Sequence, residues 1–291
     1  MKTRYFITAT IGVIFLYVAS CKKGNLRPVE SSDSTDTVLL LKGIKNGETT
    51  TIFKYDEHGK LIEESTTRTG STYKHKRLYK YENDKIIQIK SLDSSIVSGE
   101  ETPRDSFQLS YDNLGRLSSL KDYTDDYDGH SVGYEYLGDT VRLHYAFENG
   151  PLGGPLDTWG TIDFVYDEAG NLLEQNGSWS SDGTTKVVYK GNDLAKNVYR
   201  KTNNTMYPIG FKAFNSPAEG LSIPTVLPLN NTLGYESSID SGTGNMEVFD
   251  KEVFEYDYNS KGLPKERRSV YERNGEVTRD TLIFKYSGLD E

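Results

Sequence analysis

Tyr55-Asp56-Glu57-His58-Gly59-Lys60-Leu61, Tyr111-Asp112-Asn113-Leu114-Gly115-Arg116-Leu117 and Tyr166-Asp167-Glu168-Ala169-Gly170-Asn171-Leu172 write one local pattern three times. Each reads as a strand end, a tight turn and a strand start. The aspartate can accept backbone N–H bonds across the turn, the glycine can take a positive φ, and the flanking Tyr and Leu return to one apolar face. Looser versions stand at Tyr81-Glu82-Asn83-Asp84, Tyr136-Leu137-Gly138-Asp139, Tyr189-Lys190-Gly191-Asn192 and Tyr258-Asn259-Ser260-Lys261-Gly262. The tyrosines at 55, 81, 111, 136, 166 and 189 are separated by 26, 30, 25, 30 and 23 residues, the length of a two-strand unit with its loops.

Working outward from the turns, the flanks alternate with period two. Phe107, Leu109 and Tyr111 bracket Gln108 and Ser110; Phe254, Tyr256 and Tyr258 bracket Glu255 and Asp257; Leu282, Phe284 and Tyr286 repeat the register. One sheet face is therefore aromatic and the other polar. Segments of this kind fall at 37–43, 50–55, 60–66, 73–81, 85–92, 105–111, 116–122, 131–136, 140–147, 161–166, 171–176, 185–189, 194–200, 251–258, 263–271 and 280–286. The expected fold is all-β, a large antiparallel meander of about sixteen strands. So many strands in one flat layer would expose the aromatic face and two edges, so the sheet must become strongly curved or close into a barrel. The 35% hydrophobic content is low for 291 residues, yet 21 Tyr and 11 Phe supply the apolar face. Charged residues between the aromatics, and strands of about six residues, run against a membrane-spanning barrel, which needs about nine to eleven with an apolar outward face.

The single cysteine excludes an internal disulfide, and four scattered histidines give no clustered Cys/His metal site. Lys2 and Arg4 precede an apolar run from Phe6 to Ala19, too short for an ordinary membrane helix. Val18-Ala19-Ser20-Cys21 resembles the lipobox of bacterial lipoproteins, which implies cleavage after residue 20 and lipidation of Cys21. Residues 1–20 are then a signal peptide, 21–37 a polar lipidated tether, and 38–291 one repeat-built β domain with an irregular insertion at 200–246. The net charge of −9 becomes −11 once Lys2 and Arg4 are removed, which argues against nucleic acid and anionic lipid surfaces as partners. Lys22 stands where enterobacterial lipoproteins retained in the inner membrane carry aspartate. By that resemblance the expected location is the outer membrane, lipid-anchored and facing the periplasm or the surface.

The Tyr-Asp-x-x-Gly-x-Leu turns are similar to the tyrosine-aspartate repeats of secreted and surface proteins. Their setting behind a lipobox resembles Bacteroidetes lipoproteins of uncharacterised families with a porin-like fold. The resemblance spans residues 38 to 289 and implies architecture without chemistry.

Between Tyr199 and Met246 the repeat stops. Tyr207, Phe211 and Phe214, spaced by Pro208 and Pro217, could plug or cover a barrel mouth and face a ligand; packing as core filler and a mobile loop are the alternatives. Trp159 and Trp179, at loop edges, could stack on a sugar, against a simple role in loop packing. Aligning Thr124 as a first calcium ligand places Asp126, Asp128, Gly129 and Glu135 at later loop positions, but the flanks read as strands, and a solvated hairpin loop is the plainer reading. No nucleophile elbow, zinc-protease helix, phosphate loop or dinucleotide fingerprint is present in the sequence, and His58, His75, His130 and His144 stand apart. The expected function is a noncatalytic cell-envelope scaffold or binding lipoprotein, without a cofactor, whose partner is a glycan or an envelope protein. The alternative is a glycan- or peptidoglycan-binding protein or a carbohydrate-active enzyme, using loop aromatics and carboxylates in the barrel mouth.

Overall fold

A computed structural model of the chain describes residues 40–122, 130–147, 157–179, 183–196, 230–240 and 244–287. In chain order the strands are β1 (Leu41–Asn46), β2 (Thr49–Tyr55), β3 (Leu61–Arg68), β4 (Tyr73–Glu82), β5 (Lys85–Ser95) and β6 (Glu101–Tyr111). There follow β7 (Leu117–Asp122), β8 (His130–Leu137), β9 (Thr140–Phe147), β10 (Asp157–Tyr166), β11 (Leu172–Trp179) and β12 (Gly183–Tyr189). The last six are β13 (Asn192–Lys196), β14 (Asn230–Thr232), β15 (Gly234–Asp240), β16 (Glu247–Tyr258), β17 (Pro264–Arg273) and β18 (Glu276–Tyr286). All but β13 and β14 form a closed antiparallel barrel in which each strand pairs with its chain neighbours, β12 pairs with β15, and β18 pairs with β1. The count of sixteen agrees with the periodicity; two memberships do not. The segment at 194–200 overlaps β13, which pairs with β14 outside the barrel, and the supposedly irregular stretch at 200–246 supplies β14 and β15. Entry into β15 needs a glycine, because a Cβ on Gly234 would stand 2.4 Å from the Glu252 carbonyl oxygen.

The repeat acquires its geometry from the turn outward. Asp56 Oδ1 accepts the N–H groups of His58 and Lys60 at 2.9 and 2.8 Å, and Asp112 Oδ1 those of Leu114 and Arg116 at the same distances. Asp167 Oδ1 accepts from Asn171 N–H at 2.8 Å. Gly59, Gly115 and Gly170 sit at φ of 78°, 79° and 82°, a region that costs other residues strain. The Tyr258 turn, which the sequence groups with the loose ones, has this same geometry: Asn259 Oδ1 accepts from Lys261 and Leu263 N–H, and Gly262 lies at φ 69°. The truly different turns are two-residue hairpins such as Asn83-Asp84, at φ of 47° and 64°.

At each long turn the register slips by one residue. Tyr55 pairs with Leu61 while Lys54 pairs with Glu63, and the same slip follows Tyr111, Tyr166 and Tyr258. Tyr81, at a two-residue hairpin, slips likewise between Ile86 and Gln88. The bulge keeps both residues flanking the turn on the inner face and adds twist, which a closing sheet requires. It also ends the next ladder early. Pairing of β3 with β4 stops at Glu63, of β5 with β6 at Gln88 and of β7 with β8 at Ser119, leaving the carbonyls of Leu61, Ile86 and Leu117 beyond the ladder. The hydroxyls of Tyr81, Tyr111 and Tyr136 donate to those three carbonyls at 2.9, 2.8 and 3.0 Å. Tyr55 does the same for Leu41, and Tyr286 for Pro264, both at 2.7 Å. Lys60, Lys85 and Arg116 place their cations 5.6, 4.9 and 4.1 Å from the ring centroids of Tyr81, Tyr111 and Tyr136, joining each turn to the next.

The core lies inside the barrel. Leu41, Phe53, Leu61, Ile89, Leu117, Val132, Leu143, Phe164, Leu172 and Phe284 are buried members of one cluster running along the inner wall. No residue of β15, β16 or β17 belongs to it.

Two outcomes follow from the turn and its tyrosine. Tyr286→Phe removes the donor to a buried carbonyl and is expected to cost about 1–3 kcal/mol in urea unfolding, whereas an unchanged midpoint would refute the tyrosine's role at the ladder end. Asp112→Ala is expected to cost about 0.5–2 kcal/mol at neutral pH, and Asp112→Asn less, since Asn259 serves in the equivalent turn. Burial opposes the Asp112 charge, but hydrogen bonds from Arg116 and Leu114 outweigh it and hold the carboxyl below its ordinary range, as those from Asn171 do for Asp167. A depressed folded-state value means the contribution is complete above the unfolded carboxyl's titration, near pH 4, and fades as the pH falls through the folded one. The gap between wild type and Asp112→Ala should therefore narrow below about pH 4.

Candidate functional site

The inner wall of β15–β17 differs from the rest. Register partners share a face, and Leu282, which packs against the core, pairs with Arg267, which pairs with Tyr256. The same rule turns Tyr235, Asp250, Glu252, Phe254, Ser269 and Tyr271 inward. Here the lining is aromatic and polar: Phe254 and Tyr235 lie 6.2 Å apart, tilted, and Tyr256 stacks with Tyr258 at 6.1 Å. These four rings are only partly buried.

The sector's polar groups are joined in short links. Burial, together with the Glu252 and Asp250 charges, pushes the Tyr235 hydroxyl well above the ordinary phenol range. Tyr271 donates to Asp250 Oδ2 at 3.1 Å. Tyr256 donates to the Thr232 carbonyl at 3.2 Å and is pushed up to about 12, chiefly by burial. Tyr258 donates to Asp193, whose carboxylate also receives Asn231 N–H and Nδ2 at 3.2 Å, tying β13 and β14 to the barrel rim. Burial raises the Asp193 carboxyl despite those bonds. Three buried atoms here have no hydrogen-bond partner: Ser237 Oγ, Asp250 Oδ1 and Arg267 Nε. Ser237 and Asp250 are register partners, 0% and 4% exposed.

The outer wall carries charge pairs between neighbouring strands. Lys54–Glu63, Arg142–Asp163 and Lys251–Glu272 are direct register partners with contacts of 2.9, 2.7 and 2.8 Å. Such pairs add little stability; their position is what matters, because a bilayer-spanning barrel presents an apolar band about 25 Å tall at this face. Strand length does not make that distinction, contrary to the sequence reading: β16 has 12 residues and β5, β6 and β18 have 11 each.

The residues singled out by sequence fall as follows. Tyr55, Asp56, Gly59, Tyr111, Asp112, Gly115, Tyr166, Asp167 and Gly170 occupy the repeated turns. Trp179 is the backbone partner of Gly160, which puts Trp159 on β10 and Trp179 on β11 at the rim opposite those turns; their side chains lie outside what is described. Cys21, Asp126, Asp128, Tyr207, Phe211 and Phe214 also lie outside the described residues. Glu135 sits on β8 with its carboxylate 3.1 Å from His144 Nε2. Among the described residues, no three His, Cys, Asp or Glu side chains gather into a group able to hold a metal ion. Sequence reasoning missed the β15–β17 sector. Its one legible signal was the Phe254, Tyr256, Tyr258 alternation, which reads identically to core.

No protein-family model matches the sequence, and no curated protein matches it. Among solved structures, a porin-like protein from Bacteroides uniformis matches with a TM-score of 0.50 at 12% identity, over 86% of this chain and 95% of that one. A porin-like protein from Bacteroides vulgatus matches with a TM-score of 0.44 at 16% identity, over 86% of this chain and 100% of that one. The first likeness is one of fold: an all-β, porin-like barrel, here of sixteen strands.

Proposed function

We propose that the chain is a noncatalytic, lipid-anchored envelope lipoprotein whose barrel stands in water and binds a ligand at its inner wall. The observation that carries this reading is the division of the wall into two chemistries. Outside, ion pairs link adjacent strands; inside, a continuous core gives way at β15–β17 to half-exposed rings and unsatisfied polar atoms. A water-facing wall requires another means of attachment, and the lipobox-like Val18-Ala19-Ser20-Cys21 with the polar tether of 21–37 supplies one. β1 begins and β18 ends at the same rim, where Leu41 pairs with Tyr286, so the tether leaves from the rim that carries the tyrosine-aspartate turns. The opposite rim, where the Trp159 and Trp179 backbones lie, then points away from the anchor.

A binding role also fits the carboxylates better than a catalytic one does. Asp56, Asp112 and Asp167 are engaged by turn N–H groups, and Asp163, Glu63 and Glu272 by cross-strand cations. The test is Cys21→Ser in the full chain. The variant should lose incorporation of a labelled fatty acid and move from the membrane to the soluble fraction without detergent. A variant that still needs detergent for extraction would mean that the barrel itself enters the bilayer.

A further inference from the structure

We infer that the inner wall at Arg267 is a binding site for a carboxylate-bearing ligand with an apolar face, such as a uronic acid residue; this rests on the binding reading above. The argument begins with two adjacent arginines on β17 that the pleat sends to opposite sides of the wall. Arg268 faces out and meets three carboxylates, with Nη1 2.8 Å from Asp257 and 2.6 Å from Glu266 and Nε 3.5 Å from Glu255. Arg267 faces in and, among the described residues, forms no ion pair. Its guanidinium lies 4.6 Å from the Phe254 ring centroid, and its Nε is buried with no hydrogen-bond partner among the described residues.

Among the described residues, the inward carboxylates of the sector, Asp250, Glu252 and Asp280, form no ion pair with Arg267. Asp280, partner of Ser269, accepts the N–H of its neighbour Thr281 at 2.8 Å, and Asp250 Oδ2 accepts from Tyr271 at 3.1 Å. A partly buried cation without a counter-ion is costly unless one arrives. An arginine stacked on an aromatic face is also held in a fixed plane, so its remaining N–H edge presents a ready fork to an oxyanion.

Two features narrow the class. Among the described residues the site offers the single Arg267 guanidinium on the Phe254 face, which suits a singly charged carboxylate better than a doubly charged phosphate. The neighbouring rings, Phe254, Tyr235 and the stacked Tyr256–Tyr258 pair, are half-buried and lie outside the core cluster, as expected of surfaces that receive the flat apolar face of a sugar or a similar ring. On the inner wall at β3 and β4, by contrast, Glu64 is met by Tyr79 at 2.9 Å and by Arg77 at 3.6 Å.

The test compares the full-length chain with Arg267→Gln and Arg268→Gln, which remove the same charge from opposite sides of the wall. Binding of glucuronate, glucose, benzoate and inorganic phosphate is measured by calorimetry at constant ionic strength, with circular dichroism verifying the fold of each variant. Wild type and Arg268→Gln should bind glucuronate alike, and Arg267→Gln at least tenfold more weakly. Glucose should bind at least tenfold more weakly than glucuronate to wild type, and benzoate binding would show that the carboxylate matters more than the sugar ring. If Arg267→Gln misfolds, Arg267→Lys, which keeps the charge but not the fork, should still weaken glucuronate several-fold. Equal binding of glucose and glucuronate, tighter binding of phosphate, or equal losses in both glutamine variants would overturn the assignment while leaving an inner-wall binding role standing. Binding of none of the four probes would remove both.

Discussion

The bond from a tyrosine hydroxyl to a carbonyl stranded by a bulge is the constraint on which this barrel rests. A sheet of sixteen strands closes only if its hairpins are twisted, and here twist comes from a bulge beside each repeat turn. The bulge has a cost, since it stops the neighbouring ladder before the strand ends and leaves a carbonyl facing the core margin. Phenylalanine would fill the same volume and leave that oxygen without a donor. Tyrosine fills the volume and closes the account of backbone hydrogen bonds, and it does so at Tyr55, Tyr81, Tyr111, Tyr136 and Tyr286. The excess of tyrosine over phenylalanine in the composition has its physical origin here, and the cations stacked on three of these rings couple consecutive repeats.

The same pleat that aligns the tyrosines sorts charge from core. Lys54 and Glu63, or Arg142 and Asp163, oppose each other across strands because their inward neighbours are fixed by the core, so the outer wall becomes paired as a by-product of the register. At β15–β17 the rule holds and its content changes. Ser237, Asp250, Arg267 and Ser269 occupy inward positions that elsewhere hold Leu, Val or Phe. Polar residues at core-facing positions lower stability unless they are satisfied, and this is the physical ground of the binding role proposed for the sector.

Most of the architecture was legible from the turns, because Asp, Gly and Tyr at fixed spacing each have one local conformation that suits them. What escaped had weak local signals. β15, Gly-Tyr-Glu-Ser-Ser-Ile-Asp, places serine where the template expects an aromatic, so it reads as loop. The Tyr258 turn carries asparagine for aspartate and proline at 264, where the other long turns have leucine, and looks degenerate although its hydrogen bonds are the same. The 194–200 segment alternates acceptably, yet its described part lies in β13, which pairs off the barrel, a decision made by partners distant in sequence rather than by its own pattern. The inward course of Arg267 was hidden by the bulge at residue 265, which shifts the alternation within Pro264–Arg273 by one place, and Lys-Glu-Arg-Arg then looks like a uniformly solvated run.

The pairing of β1 with β18 sets a condition on assembly. Every other neighbour in the barrel lies within one hairpin or one excursion along the chain, but Leu41 and Tyr286 meet only after all intervening strands exist. Until β18 forms, both β1 and β17 are open edges with unpaired backbone, able to add a strand from another molecule. Closure therefore acts as a test of completeness: a chain truncated before Glu276 keeps every repeat turn intact and still exposes two adhesive edges, so damage at the C-terminal end would show as aggregation rather than as loss of local structure.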